Sequence, residues 1–238
     1  MIVEVQGWTE GLRVCSVRLR HGLDPGDLLA ERGFAVEAPL DASLVTGRAS
    51  GDRLVVRLAV RPATRSRPRS GPVGTDRYLL LAAGEAAVRV QRVGAYALVV
   101  GPRGVLATQH AATTNRAGTW GLPGGGLNRG EHPAEAARRE CWEETGQSVE
   151  VGDLLLVQTA HWVGRSPRGR AEDFHAVRLI YLGDCADPAD PIVHDTDGTT
   201  AAAAWVLVEQ VVGMTWSTPA REQLTGLGLL PERSDGRG

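Results

Sequence analysis

The stretch "GGGLNRGEHPAEAARRECWEETGQ" runs from Gly124 to Gln147 and sets Glu140, Glu143 and Glu144 within five residues, beside Arg138 and Arg139. It follows a glycine-rich turn, "GLPGGG". Pro133 stands where a helix can begin and Gly146 where it can stop. At about 100° per residue the three glutamates fall within an arc of roughly 100°, so they share one helix face. Ala134, Ala137 and Cys141 form a stripe of small residues that lets the helix press on a sheet, which turns the carboxylates sideways or outward. Like charges at this spacing cost a helix about 0.2 to 0.5 kcal/mol per pair in water, and more when desolvated. A solvated acidic face is one reading. A hard divalent cation is the other, because such an ion takes several oxygens from carboxylates, backbone carbonyls, water and phosphate. The side-chain-free glycines leave carbonyls accessible beside the acids, which favours a magnesium site.

The rest of the chain narrows the class. Its 238 residues allow one extended domain or two modest ones, and 42% hydrophobic residues suffice for a core. The formal net charge is -2 with mixed signs, which gives no global electrostatic case for a DNA or RNA polymer or for an anionic membrane. No apolar run approaches about 18 residues, and the start "MIVEVQGWTEGLRV" lacks the pattern of a secretory signal, so a cytoplasmic location is expected. Cys15, Cys141 and Cys185 are odd in number and far apart, which suits reduced thiols. All 26 basic residues are arginine, which removes every mechanism that needs a P-loop or Schiff-base lysine.

Alternation predicts strands at Leu12–Leu19 and Arg53–Val60, with a helix between them capped by Asp24, opened by Pro25 and ended by Gly33. Pro62–Asp76, rich in Arg, Ser and Pro, reads as a loop. From Arg77 long apolar runs begin with "RYLLLAA". "GPRG" at Gly101–Gly104 reads as the turn of a hairpin between Ala95–Val100 and Val105–Gln109. "GDLLLVQTAHWV" and "FHAVRLIYLGD" read as a strand pair around Gly164–Asp173, "AAAAWVLVEQ" as a further strand, and Thr218-Pro219 as the start of a last helix. His161 and His175 show no paired spacing of the kind zinc sites use, and read as structural or substrate-facing residues, not as metal ligands.

Gly125, Glu131, Arg139-Glu140, Glu143-Glu144 and Gly146 together resemble the Nudix box, the signature of the Nudix hydrolases. Seven specified identities fall in register, a coincidence on the order of 10⁻⁶ for a chain of this length. Cys141 and Gln147 stand at positions usually aliphatic. Gln147 alters the packing just after the helix, where Val149 can fill in. The resemblance implies an α+β fold, an α-β-α sandwich with a mixed sheet, over residues 86–227. Residues 1–85 would form a small α/β extension and 228–238 a flexible tail.

It further implies hydrolysis of a pyrophosphate bond in a nucleoside diphosphate linked to another group, a nucleotide-type small molecule. Glu143 and Glu144 would bind Mg²⁺ or Mn²⁺ with the Gly124 carbonyl, and Glu140 would be a ligand or the base that orients water. Arg139 and Glu131 would support Glu140 by a salt bridge, with Gly125 and Gly146 shaping the turns. A further acid would come from a later loop: Asp197 is preferred over Asp195, Glu172 and Asp173 because it sits just before the final strand. Trp120, Trp162 and Arg116 are the candidate substrate contacts, with Tyr96 a further aromatic. Substrate choice would rest with the loops His110–Gly118 and Gly164–Asp173. The rival function is a nucleotide-binding Nudix sensor without catalysis. Residues 1–85 leave open a cover for the site, a homodimer or another ligand.

Overall fold

A computed structural model of the chain describes residues 1–47, 51–66, 74–75, 85–114, 116–166, 169–195 and 198–232. The expected strand "RYLLLAA", most of the expected loop Pro62–Asp76, and Asp197 lie outside the described residues. Two compact units share the chain. One gathers Met1–Ala95, Gly125–Ala136 and Asp153–Tyr181; the other gathers Tyr96–Gly124, Ala137–Gly152 and Leu182–Gly238. Strands are mixed in direction and α-helices few, as the family resemblance implied. No helix among the described residues is long and apolar enough to cross a membrane.

In the first unit, β1 (Ile2–Thr9), β2 (Leu12–Arg18), β3 (Phe34–Val45) and β4 (Arg53–Pro62) form a sheet in the order β2-β1-β4-β3. β1 and β4 run parallel, and the outer pairs are antiparallel. Leu54, Val56, Leu58 and Val60 alternate into the core, with Val3 and Val5 of β1 opposite Leu54 and Val56. Helix α1 (Pro25–Ala30) begins as expected: the Asp24 side chain accepts from the Gly26 N–H at 2.7 Å. Its Leu28 and Leu29 are fully buried, each stabilising by about 1.5 to 3 kcal/mol, and Leu29 reaches the sheet at Gly7. Leu28→Ala is expected to lower unfolding stability by about 2 to 5 kcal/mol, read from the urea midpoint. Two residues, Gly74–Thr75, form β5. They pair in parallel with Trp162 and Val163 of β10 (Glu150–Arg165). β11 (Ala171–Asp184) is buried on both faces from His175 to Tyr181, the pattern of an interior strand.

The second unit is built on the expected hairpin. Val100 and Gly101, at the end of β6 (Val88–Gly101), pair with Val105 and Gly104 of β7 (Gly104–His110). On the other side of β7 lies β12 (Thr200–Val206), antiparallel, and β7 also pairs with the short β8 (Trp120–Gly121). A three-residue strand, Gly124–Gly126, is β9. The core joins Ala97, Val99 and Leu106 to Cys141 of helix α2 (Pro133–Thr145) and to Val149. Two expectations need correction. The buried small residues of α2 are Ala136, Ala137 and Cys141, whereas Ala134 is half-exposed. The last strand stops at Val206, and Val208–Gly213 curl into a 3-10 turn. That turn is held because Trp216 Nε1 donates to the Val211 carbonyl at 2.7 Å. Helix α3 (Thr218–Gly226) starts where expected, and after it Leu230 is buried, its N–H donating to the Leu224 carbonyl.

Candidate active site

Helix α2 ends as its sequence demands. The Gly146 N–H donates to the Trp142 carbonyl at 2.8 Å, with Gly146 at φ +68°. The next orphan carbonyls are covered by residues 192–195. The Ile192 N–H donates to Thr145 O at 2.9 Å, and the N–H groups of His194 and Asp195 to Glu143 O at 2.8 and 3.0 Å. A Cβ at Gly146 would stand 3.1 Å from both the Ile192 carbonyl and His194 Nε2. His194 stacks on the exposed Trp142, ring centroids 4.4 Å apart. Gln147 is buried rather than a defect: its Oε1 accepts from the Ala189 N–H at 3.0 Å, its Nε2 donates to Thr145 O at 3.2 Å, and Val149 fills the apolar place.

The three glutamates are not equivalent. Glu143 and Glu140 share one guanidinium, with Arg139 Nη1 2.9 Å from an oxygen of each. Glu143 stays partly exposed and Glu140 less so. Glu144 points inward instead, only 7% exposed, against the expectation of a sideways or outward face. The reason lies in the spacing. Ala137, Cys141 and Glu144 stand at i, i+4 and i+7, so the last acid extends the buried stripe. Both of its oxygens are held by neutral donors: the Gly124 N–H at 2.9 Å and the Thr200 hydroxyl at 2.5 Å. Burial raises its pKa to about 7, and the charges of Glu140 and Asp195 push the same way against those two hydrogen bonds.

Thr200 carries no signal that marks it in the sequence, since its role depends on β12 bringing its first residue beside α2. Asp195 stands close enough to Glu144 to raise its pKa, carried there by the backbone contacts of residues 192–195. The other expected acids are engaged elsewhere. Glu172 pairs with Arg170 at 3.0 Å, and Asp173 with two histidines.

Trp120 is half-buried, tied by backbone bonds to Thr215 and Ser217. Arg116 lies in a turn whose carbonyl accepts from the Thr119 N–H and hydroxyl, and its charge adds to burial in lowering the pKa of His110. In the first unit, Trp162 packs on Phe174 with centroids 4.4 Å apart, and the Glu131 carboxylate accepts from the Asn128 N–H at 2.7 Å. Gly125 opens that unit's second segment.

A buried carboxylate held by a backbone N–H and a hydroxyl, beside two more acids sharing one arginine, defines an acidic helix-and-turn site. The chain belongs to the Nudix family, the NUDIX domain model matching residues 90–225. The nucleoside triphosphatase NudI of Escherichia coli O139:H28 is 31% identical over 120 residues, 48% of this chain and 79% of that one. An RNA pyrophosphohydrolase of Roseobacter denitrificans is 41% identical over 49 residues, 21% of this chain. The chain spans only 30% of that relative's length, and 27% of a second RNA pyrophosphohydrolase, from Bartonella clarridgeiae. A MutT NUDIX hydrolase structure from Burkholderia pseudomallei shares 28% identity with a TM-score of 0.45, covering 58% of this chain and 98% of its own.

Proposed function

We propose that the protein is a metal-dependent pyrophosphohydrolase acting on a nucleoside diphosphate linked to another group. The observation that carries this reading is the Glu144 carboxylate, buried to 7% exposure with both oxygens aligned by Gly124 and Thr200. A buried acid without a cationic partner is destabilising in itself. Its donor set of hard oxygens, with Glu143 and Glu140 alongside, fits Mg²⁺ or Mn²⁺. Glu143 and Glu144 would hold the ion with the Gly124 carbonyl, and the acid of the later loop is Asp197 or its described neighbour Asp195. When bound, such an ion neutralises diphosphate charge and acidifies water.

The chain's own residues do the rest. Arg139 limits repulsion between Glu140 and Glu143 and fixes their carboxylates, and Glu131 supports the turn before the helix through the Asn128 N–H. Glu140 either adds a ligand or accepts the proton of the attacking water. Thr200 and the Gly124 N–H hold Glu144 in one orientation. Gly125 and Gly146 shape the flanking turns. Trp120 and Arg116, of the same unit as Glu144, are the proposed contacts for the base and phosphates, and a nucleotide-type small molecule is the proposed substrate. Residues 86–227 are the catalytic region in this reading, residues 1–85 an extension, and the location cytoplasmic.

A panel of nucleoside triphosphates, nucleoside diphosphate sugars and ADP-ribose, incubated with the protein with and without Mg²⁺, tests the proposal by mass spectrometry of the products. Mg²⁺-dependent cleavage of a phosphoanhydride is expected. Nucleotide binding without release from any member would establish the sensor reading instead.

A further inference from the structure

Away from the acidic helix, the first unit brings together three residues remote in sequence. His21 lies in the loop between β2 and α1, His161 on β10 and Asp173 on β11. Nε2 of His21 stands 3.0 Å and Nε2 of His161 2.5 Å from the same oxygen, Asp173 Oδ1. The three side chains are each about one-fifth exposed, so the cluster is sheltered but reachable. One donor atom from each lies within 4.8 Å of the others. Tetrahedral zinc, with bonds of about 2.0 to 2.1 Å, separates its ligand atoms by about 3.3 Å. The two histidine nitrogens already stand 3.0 and 2.5 Å from Asp173 Oδ1, close to that spacing.

Three further observations indicate a built site. His175 is fully buried; the Leu23 backbone lies near its ring, but no well-formed hydrogen bond reaches either ring nitrogen among the described residues. Its ring centroid is 5.4 Å from that of His21 and 6.2 Å from that of His161, so its imidazole packs edge-on beside the trio, outside the set of three close donor atoms. Gly22, at φ +78°, lets the backbone press on the imidazole, since a Cβ there would lie 2.6 Å from His161 Nδ1. The loop is pinned on its other side as well: the Thr159 hydroxyl donates to Asp24 Oδ2 at 2.8 Å. Beside the cluster, Arg89, itself mostly exposed, lies 3.7 Å from the second Asp173 oxygen.

We infer that His21, His161 and Asp173 bind one divalent transition-metal ion of the zinc class, and so clamp the Leu19–Asp24 loop to β10 and β11. Two imidazoles and a carboxylate suit such an ion and not magnesium, which prefers an all-oxygen shell. The site is separate in chemistry from the glutamates of α2.

Purified full-length protein, stripped with chelator and kept in excess Mg²⁺ to occupy oxygen sites, is titrated with Co²⁺ and then with Zn²⁺. The Glu144→Gln background removes the remaining competition from the acidic helix. One equivalent of Co²⁺ is expected to give the intense visible bands of four-coordination and to be displaced by Zn²⁺, with a rise in melting temperature. His21→Gln, at a partly exposed loop position, and Asp173→Asn are each expected to weaken binding by at least about a hundredfold, more than changes outside the ligand shell cost. If Asp173→Asn fails to fold, His21→Gln decides. Absence of stoichiometric uptake, or uptake unchanged in His21→Gln, overturns the inference and leaves a hydrogen-bonded His–Asp–His trio.

Discussion

Glu144→Gln is expected to lower kcat by about a thousandfold or more while making the metal-free protein more stable at alkaline pH. The two effects have one cause. In the folded chain the Glu144 pKa is raised from 4.5 to about 7, chiefly by burial. A carboxyl shifted upward binds its proton more tightly in the folded than in the unfolded state. The stability it lends is complete below about pH 4.5 and is lost as pH rises through 7. The shift corresponds to about 3 kcal/mol. Glutamine escapes this loss: its carbonyl can accept from the Gly124 N–H while its amide donates to the Thr200 oxygen. Melting curves of chelator-treated protein between pH 5 and 8 should therefore fall with pH for the wild type and stay nearly flat for the variant. Mg²⁺ should raise the wild-type melting temperature at pH 8 more than that of the variant. Equal pH profiles would show that Glu144 carries no such load, and undiminished turnover would remove it from the site.

The second large effect is structural. Gly104 opens β7 at φ +103°, and a Cβ there would lie 2.1 Å from the Val206 carbonyl oxygen and 2.6 Å from its carbon. Those atoms are backbone of the strand paired beside it, so no rotamer change relieves the clash. Gly104→Ala is expected to destabilise the protein by about 4 kcal/mol, enough to deplete soluble protein. Gly101 faces it across the same turn, has no positive φ and would meet nothing within 4 Å. Gly101→Ala is thus the internal control, expected within about 1 kcal/mol of wild type in urea unfolding. A similar loss in both variants would place the strain in the turn as a whole.

The features legible in the sequence were those with local causes. The Asp24 cap, the Pro133 start and Gly146 stop of α2, and the Gly101–Gly104 turn are each set by the backbone preferences of a few neighbouring residues. Glu144 shows how a correct pattern can be misdirected. The arc of three acids was right, but Ala137 and Cys141 already placed Glu144 on the inward stripe, and charge alone argued for water. The strand expected through Gln210 ends early because the Trp216–Val211 hydrogen bond favours a turn that alternation cannot anticipate. His21 and Asp173 are 152 residues apart, so no spacing rule reaches their contact. Thr200 and Asp195 likewise meet Glu144 only through chain packing.

Residues 192–195 hydrogen-bond to the end of α2 through main-chain amides, with Ile192, His194 and Asp195 all donating N–H groups. A clasp of that kind is indifferent to side-chain identity as long as proline is avoided at those three positions. The segment is therefore a place where the chemistry presented beside Glu144 can be rewritten, by exchanging Asp195, without breaking the main-chain bonds that hold it.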